Sequence, residues 1–123
     1  MIIDLIKKKY GDDFKLLEPI LCEDISIPEK LRNILQQSNG IQETMAHPKT
    51  GEKMVIGWIL YSHEEMVKAT NYYKDEYGLH GTVFSDDGAG NPYYLFEDKI
   101  YEFDPIDNES TLLANSIEEF YRR

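Results

Sequence analysis

The sequence predicts an α+β domain in which about four helices pack around a mostly antiparallel, twisted sheet. Three observations carry that expectation. Apolar residues recur at helical spacing in four segments, they alternate or run continuously in several short extended segments, and the two kinds do not follow each other as regular βαβ units. At 123 residues with 41% hydrophobic content, the chain is long enough for one sizeable core and short for two, so residues 1–123 are expected to form one domain.

In chain order, Ile2, Ile3, Leu5, Ile6 and Tyr10 mark one face of a short helix that stops at Gly11, with Lys7 to Lys9 near the negative end of its dipole. Pro28 suits the first position of a second helix. Leu31, Ile34 and Leu35 supply its apolar face, and Asn39-Gly40 can take the left-handed conformation that ends it. From Ile41 to Ala46 and from Met54 to Leu60 the pattern is extended, with a turn at Pro48 to Gly51 between, which reads as a hairpin. Ser62 and Glu65 then form a capping box, stapled by Tyr61 and Met66, at the head of a helix that presents Met66, Ala69, Tyr73 and Tyr77 on one face and ends at Gly78.

Gly81 to Ser85 resumes the sheet, and Asp86 to Pro92 is a turn rich in residues that tolerate positive φ. Tyr93 to Glu97 and Ile100 to Asp104 form two strands joined very tightly at Asp98 and Lys99. In the second of these, Tyr101 and Phe103 share a face expected to be core, while Glu102 and Asp104 share one expected to be wet. A further extended run, Thr111 to Ala114, precedes a helix opened by the capping box of Ser116 and Glu119 and closed by Arg122 and Arg123.

Charge narrows the function. The net charge is −10, and residues 84–123 hold 10 acidic against 3 basic side chains, whereas residues 1–83 are nearly balanced. Such an acidic pole repels phosphate backbones, which argues against direct nucleic-acid binding, and it draws a basic partner through a faster, salt-sensitive encounter. Solubility alone is the bland reading of the same surface. One cysteine, Cys22, suits a reducing compartment, the first ten residues lack the order of a secretory leader, and no apolar run is long enough to span a bilayer. A cytoplasmic protein is expected.

Motifs for catalysis are weak. His47, His63 and His80 lie in three different elements without ligand spacing, so no metal or cofactor is implied, and Cys22 reads as a small buried apolar residue. Asp86-Asp87-Gly88-Ala89-Gly90-Asn91 lacks the acid spacing of a calcium loop and is followed by Pro92 and a strand instead of a phosphate-binding helix, which leaves a hairpin turn. Glu102 and Asp104 could serve a hydrolase only if their surroundings raised a carboxyl pKa, and a solvated strand face is the simpler reading. Tyrosines mixed with acids, as in Tyr93, Tyr94, Glu97 and Asp98, also describe a protein-binding surface.

Several short pieces in a fixed order carry a family likeness: Ile27-Pro28 opening a helix that closes at Asn39-Gly40; Ile56-Gly57-Trp58-Ile59 leading to a helix; Val83 to Leu95; Lys99 to Asp104; and Ala114 to Tyr121. Together they resemble the SUKH superfamily, which includes fungal cell-wall synthesis regulators of the Smi and Knr type and many bacterial immunity proteins. The resemblance implies one α+β domain with helices around a twisted sheet and no catalytic residue. It further implies a cytoplasmic antidote that binds the toxin domain of a secreted polymorphic or contact-dependent toxin, frequently a nuclease or deaminase. A nuclease is basic where it holds nucleic acid, so the contact residues are expected among Asp86, Asp87, Tyr93, Tyr94, Glu97, Asp98, Glu102 and Asp104. A non-catalytic scaffold of the cell-wall-regulator kind is the alternative.

Overall fold

The computed structural model describes residues 2–123. Its elements run α1 (Ile2–Tyr10), β1 (Phe14–Leu16), α2 (Glu29–Leu35), β2 (Ile41–Ala46), β3 (Lys53–Leu60), α3 (His63–Tyr77), β4 (Thr82–Asp86), β5 (Pro92–Phe96), β6 (Lys99–Asp104), β7 (Glu109–Ala114) and α4 (Ile117–Arg122). The α+β class and the antiparallel pairing agree with the sequence. The strands, however, part into two sheets, ordered β1-β2-β3 and β4-β5-β6-β7.

Local signals explain most boundaries. Ser62 Oγ accepts the Glu65 N–H (3.2 Å) at the head of α3, and Gly78 closes that helix at φ 68°, where a side chain would be strained. Ser116 Oγ accepts the Glu119 N–H (3.0 Å), one of the free donors at the start of α4, while Glu119 Oε2 reaches back past the cap to the Asn115 N–H (3.1 Å) and ties the entering chain to the helix. At the β4–β5 turn the aspartates act on their own loop. Asp86 Oδ1 accepts from Gly88 N–H (2.8 Å), and Asp87 Oδ1 accepts from Ala89 N–H (2.8 Å) and Asn91 N–H (3.0 Å).

Four expectations shift. Strand β1 has no sequence signal, since three residues carry no readable alternation; it exists because β2 supplies a partner, with Phe14 opposite Glu43 and Leu16 opposite Ile41. Pro28 is the N-cap of α2, one place before the expected position, and the helix ends at Leu35 with Gln36 as its cap, short of Asn39-Gly40. Buried Ser38 draws the chain inward there: it accepts the Leu17 N–H (2.8 Å) and donates to the Gly40 carbonyl (2.7 Å). The tight turn between β5 and β6 is Glu97-Asp98, both left-handed at φ 50° and 66°, and Lys99 belongs to β6.

The fourth shift concerns the second sheet, which has no wet face of the kind expected for Glu102 and Asp104. Phe103 is buried beneath Tyr73 and Tyr77 of α3, with ring centroids 6.1 and 5.1 Å away. On the other face Ile100 is fully buried, and Tyr93, opposite Glu102, meets Phe120 of α4 at 4.9 Å. Helices cover both sides. The core is one cluster that includes Ile6, Leu31, Leu35, Ile41, Leu60, Met66, Phe84, Ile100 and Ile117, each such side chain contributing roughly 1.5–3 kcal/mol of burial.

Among the described residues the two sheets meet at one backbone bond, from Tyr61 N–H to the Phe84 carbonyl (2.7 Å). Beside it, the buried Ile59 carbonyl accepts from the hydroxyls of Ser85 (2.8 Å) and Tyr121 (2.7 Å). A continuous sheet would give that carbonyl a backbone N–H from β4. Two hydroxyls satisfy it instead, so β3 and β4 separate without leaving a buried acceptor orphaned.

Candidate partner-binding surface

The separation of β3 from β4 opens a cleft of about 420 Å³. Tyr93, Glu102, Asp86 and Asp87 all line it, so four of the eight residues singled out in the sequence converge there. They do so because β4 ends at Asp86 and register sets Tyr93 directly opposite Glu102 on the neighbouring strand. Asp87 is exposed, and Asp86, Tyr93 and Glu102 are half-buried.

The other four are placed differently. Tyr94 points into the α3 side of the sheet, is only 6% exposed, stacks on Tyr101 and gives its hydroxyl to Ser110 Oγ (2.7 Å), which leaves it too buried to touch a partner. Glu97 and Asp98 are exposed, but they form the hairpin tip at the far end of β5, about 16 Å along the strand from the cleft mouth. Asp104 is half-buried and caps the next turn, its Oδ1 accepting the N–H groups of Ile106 (2.9 Å) and Asp107 (3.3 Å).

The cleft also collects residues that no local pattern marks. Lys9 and Tyr10 come from the end of α1, Glu43 from β2, Trp58 from β3, and Tyr121 and Arg123 from the C-terminal segment. Its polar wall therefore carries Glu43, Asp86, Asp87 and Glu102 against Lys9 and Arg123, an acidic excess in a partly enclosed site. Burial, with Glu102 and Asp87 adding to it and Arg123 opposing, pushes the Tyr93 hydroxyl above its ordinary pKa. Burial likewise raises Tyr10, with Glu43 assisting, and full burial raises Tyr121. These hydroxyls stay neutral hydrogen-bonding groups and add nothing to the acidic excess of the cleft.

Asp86 is the hinge of the site. Its Oδ2 accepts the Tyr61 hydroxyl proton (2.5 Å) while Oδ1 holds Gly88, so both oxygens are fixed by the fold. Burial, and then Asp86, raise the Tyr61 hydroxyl far above its usual pKa. On the other side of Asp86 from the cleft lies an open hollow of about 670 Å³, lined by Trp58, Tyr61, Tyr72 and Tyr73 together with Glu65, Lys68 and Ala69.

The remaining chemistry-bearing residues are dispersed. His63 Nε2 lies 2.9 Å from Asp24 Oδ2, and Asp24, bonded first by Ser26 and then by His63, has its carboxyl pKa lowered to about 2. His47 Nδ1 accepts from the turn N–H groups of Lys49 and Thr50, and His80 lies against Phe96. Cys22 is buried among apolar residues, as its solitary occurrence suggests. Among the described residues no helix is long and apolar enough to cross a membrane, and no three potential metal ligands gather.

Comparison with known proteins adds one finding. No curated protein and no solved structure matches the chain. The sequence model of the SMI1 / KNR4 family (SUKH-1) matches residues 12–123, from the residues before β1 through the end of α4 and thus across every strand that forms the cleft, and the chain belongs to that family, whose domain is known in toxin immunity proteins.

Proposed function

We propose that this protein is a bacterial immunity protein that binds and neutralises, in the cytoplasm, the toxin domain of a cognate secreted polymorphic or contact-dependent toxin. The toxin is inferred to be a nuclease with a basic substrate groove. The observation that carries the reading is the cleft between the two sheets, where Asp86, Asp87, Glu102 and Tyr93 stand together on a SUKH-1 scaffold. A surface of that sign competes for cations that otherwise hold phosphates, and it steers a basic partner at long range. Neutralisation by occupancy needs no catalytic group, cofactor, membrane or nucleic acid.

Within this reading Asp86, Asp87, Tyr93 and Glu102 are the central contacts, and Glu97 and Asp98 extend the negative field from the far hairpin tip. The test is calorimetric titration against the C-terminal toxin domain encoded by the neighbouring reading frame, at two salt concentrations. One-to-one binding that weakens as salt rises is expected. Absence of binding would sink the reading and leave the non-catalytic scaffold. Asp86→Lys and Asp87→Lys should slow association at low salt and lose much of that effect at high salt. Equal loss in both conditions would exclude steering by these carboxylates.

A further inference from the structure

We propose that the aromatic hollow beside the cleft is a receptor for a single arginine side chain of the protein partner. The identity of that partner rests on the toxin-neutralising reading; the guanidinium chemistry of the hollow does not.

Two edge-to-face aromatic pairs form its walls. Trp58 and Tyr61 have centroids 6.1 Å apart at 83°, and Tyr72 and Tyr73 are 5.0 Å apart at 87°. Tyr72 is 53% exposed, a large aromatic on a helix surface with its outer edge uncovered. Ring faces attract cations through their quadrupoles, and guanidinium does this best in a partly open site because it is planar and weakly hydrated.

The hollow also supplies carboxylate. Each Asp86 oxygen accepts one internal hydrogen bond, from Tyr61 or from Gly88, and each keeps a second acceptor site. The two free sites belong to a carboxylate whose orientation is already set, and a guanidinium, with its fork of N–H donors, is the side chain equipped to use either or both. Glu65, half-buried on the first turn of α3, has no hydrogen-bond donor to its carboxylate among the described residues. Among the described residues no cation lies within 4.0 Å of either carboxylate; the sole pair within that distance is His63 with Asp24. Lys68 lines the same hollow from an exposed position, with its ammonium beyond 4.0 Å from both carboxylates. A lysine of the partner would fit less well, since an ammonium keeps its water in an open site and cannot bridge both Asp86 oxygens.

The full chain is titrated with N-acetyl-arginine methylamide, and separately with its lysine counterpart, while the fluorescence of Trp58, the chain's one tryptophan, is followed. A saturable change with the arginine probe is expected, several-fold weaker with lysine. Tyr72→Ala and Asp86→Asn should each weaken it about fivefold or more, and Lys68→Gln should strengthen it. A linear response, or equal response in wild type and both weakening variants, overturns the proposal. With the toxin domain, Tyr72→Ala should raise Kd about tenfold through faster dissociation. If the toxin binds wild type and Tyr72→Ala alike, the hollow is not a receptor for the partner, and the immunity reading stands. If the arginine probe binds selectively and the toxin does not bind wild type, the guanidinium site is supported and the toxin reading alone fails.

Discussion

Removing one oxygen, by Tyr61→Phe, isolates what the fold does to Asp86. The Tyr61 ring is 9% exposed and packs in the core, so the phenylalanine ring leaves no cavity, and the substitution removes a single polar interaction, the hydroxyl bond to Asp86 Oδ2. A hydrogen bond to a charged acceptor contributes about 1.5–3 kcal/mol. Asp86 is half-exposed and can turn to water once that bond is gone, which favours the low end, about 1.5 kcal/mol. For 123 residues the unfolding entropy is about 0.26 kcal/mol/K, so the melting temperature should fall by about 6 °C.

Circular-dichroism melts at neutral pH read that shift directly. A melting temperature within about 1 °C of wild type would refute the claim that Tyr61 restrains Asp86 in solution. Asp86→Asn is the complement, because it keeps two acceptor or donor positions near Tyr61 and Gly88 but removes the charge. If the carboxylate acts by steering, Asp86→Asn slows partner association. If its fixed orientation matters, Tyr61→Phe leaves association unchanged and speeds dissociation.

Three other perturbations have defined outcomes. Gly40→Ala places a Cβ 2.8 Å from both the Ser62 nitrogen and Trp58 Cζ3 at a φ of +96°, and it should cost about 3 kcal/mol in urea unfolding; a near-wild-type midpoint would mean that this loop does not approach α3 so closely. Thr44 is 4% exposed and its hydroxyl has no partner among the described residues, so Thr44→Val should stabilise by about 1 kcal/mol, and a destabilised variant would reveal a bond to bound water. The hydroxyls of Tyr10, Tyr61, Tyr73, Tyr93 and Tyr121 all have folded pKa values raised above the usual value near 10, so the unfolded chain releases these protons first; stability is intact below pH 10 and falls as pH rises through 10 toward the folded values. Tyrosinate absorbance should then lag the free-tyrosine curve until circular dichroism reports unfolding, and full ionisation near pH 10 with the fold intact would contradict it.

Features legible in the sequence are those set by neighbours in the chain. Ser62 with Glu65, Ser116 with Glu119, Gly78, and the Asp86 to Pro92 turn all form as their local chemistry requires, because the partners lie within a few residues. Features that depend on distant partners are not legible. Strand β1 exists through β2, and α2 stops early because Ser38 bonds Leu17 twenty-one residues away. Tyr61 is readable as the apolar staple of α3, yet its hydroxyl reaches Asp86 across twenty-five residues. Lys9 and Arg123 suit helix ends on dipole grounds, and only the packing of α1 and α4 beside the sheets turns them toward the cleft. The acidic stretch supplies part of the cleft wall, but strand alternation and turn capping divide it: Tyr94 turns inward, Asp104 holds a loop, and Asp86, Asp87, Tyr93 and Glu102 face the same opening.

Under the proposed function, the break between the sheets means that charge need not act alone. Because the one backbone bond to β4 among the described residues, Tyr61 to Phe84, comes only after the end of β3, the first half of β3 projects with little cover, and Met54, Val55 and Ile56 are 38%, 51% and 52% exposed, with Met45 of β2 at 45%. Ile56 and Trp58 continue from this arm into the cleft wall beside Asp86 and Asp87. A basic partner would thus meet long-range attraction from the carboxylates and short-range apolar packing from the arm at one place. The first governs how fast the complex forms and weakens with salt; the second is insensitive to salt and governs how long it lasts. Since Asp86 is held by two internal hydrogen bonds before any partner arrives, little ordering remains to oppose association at the point where the cleft and the hollow meet.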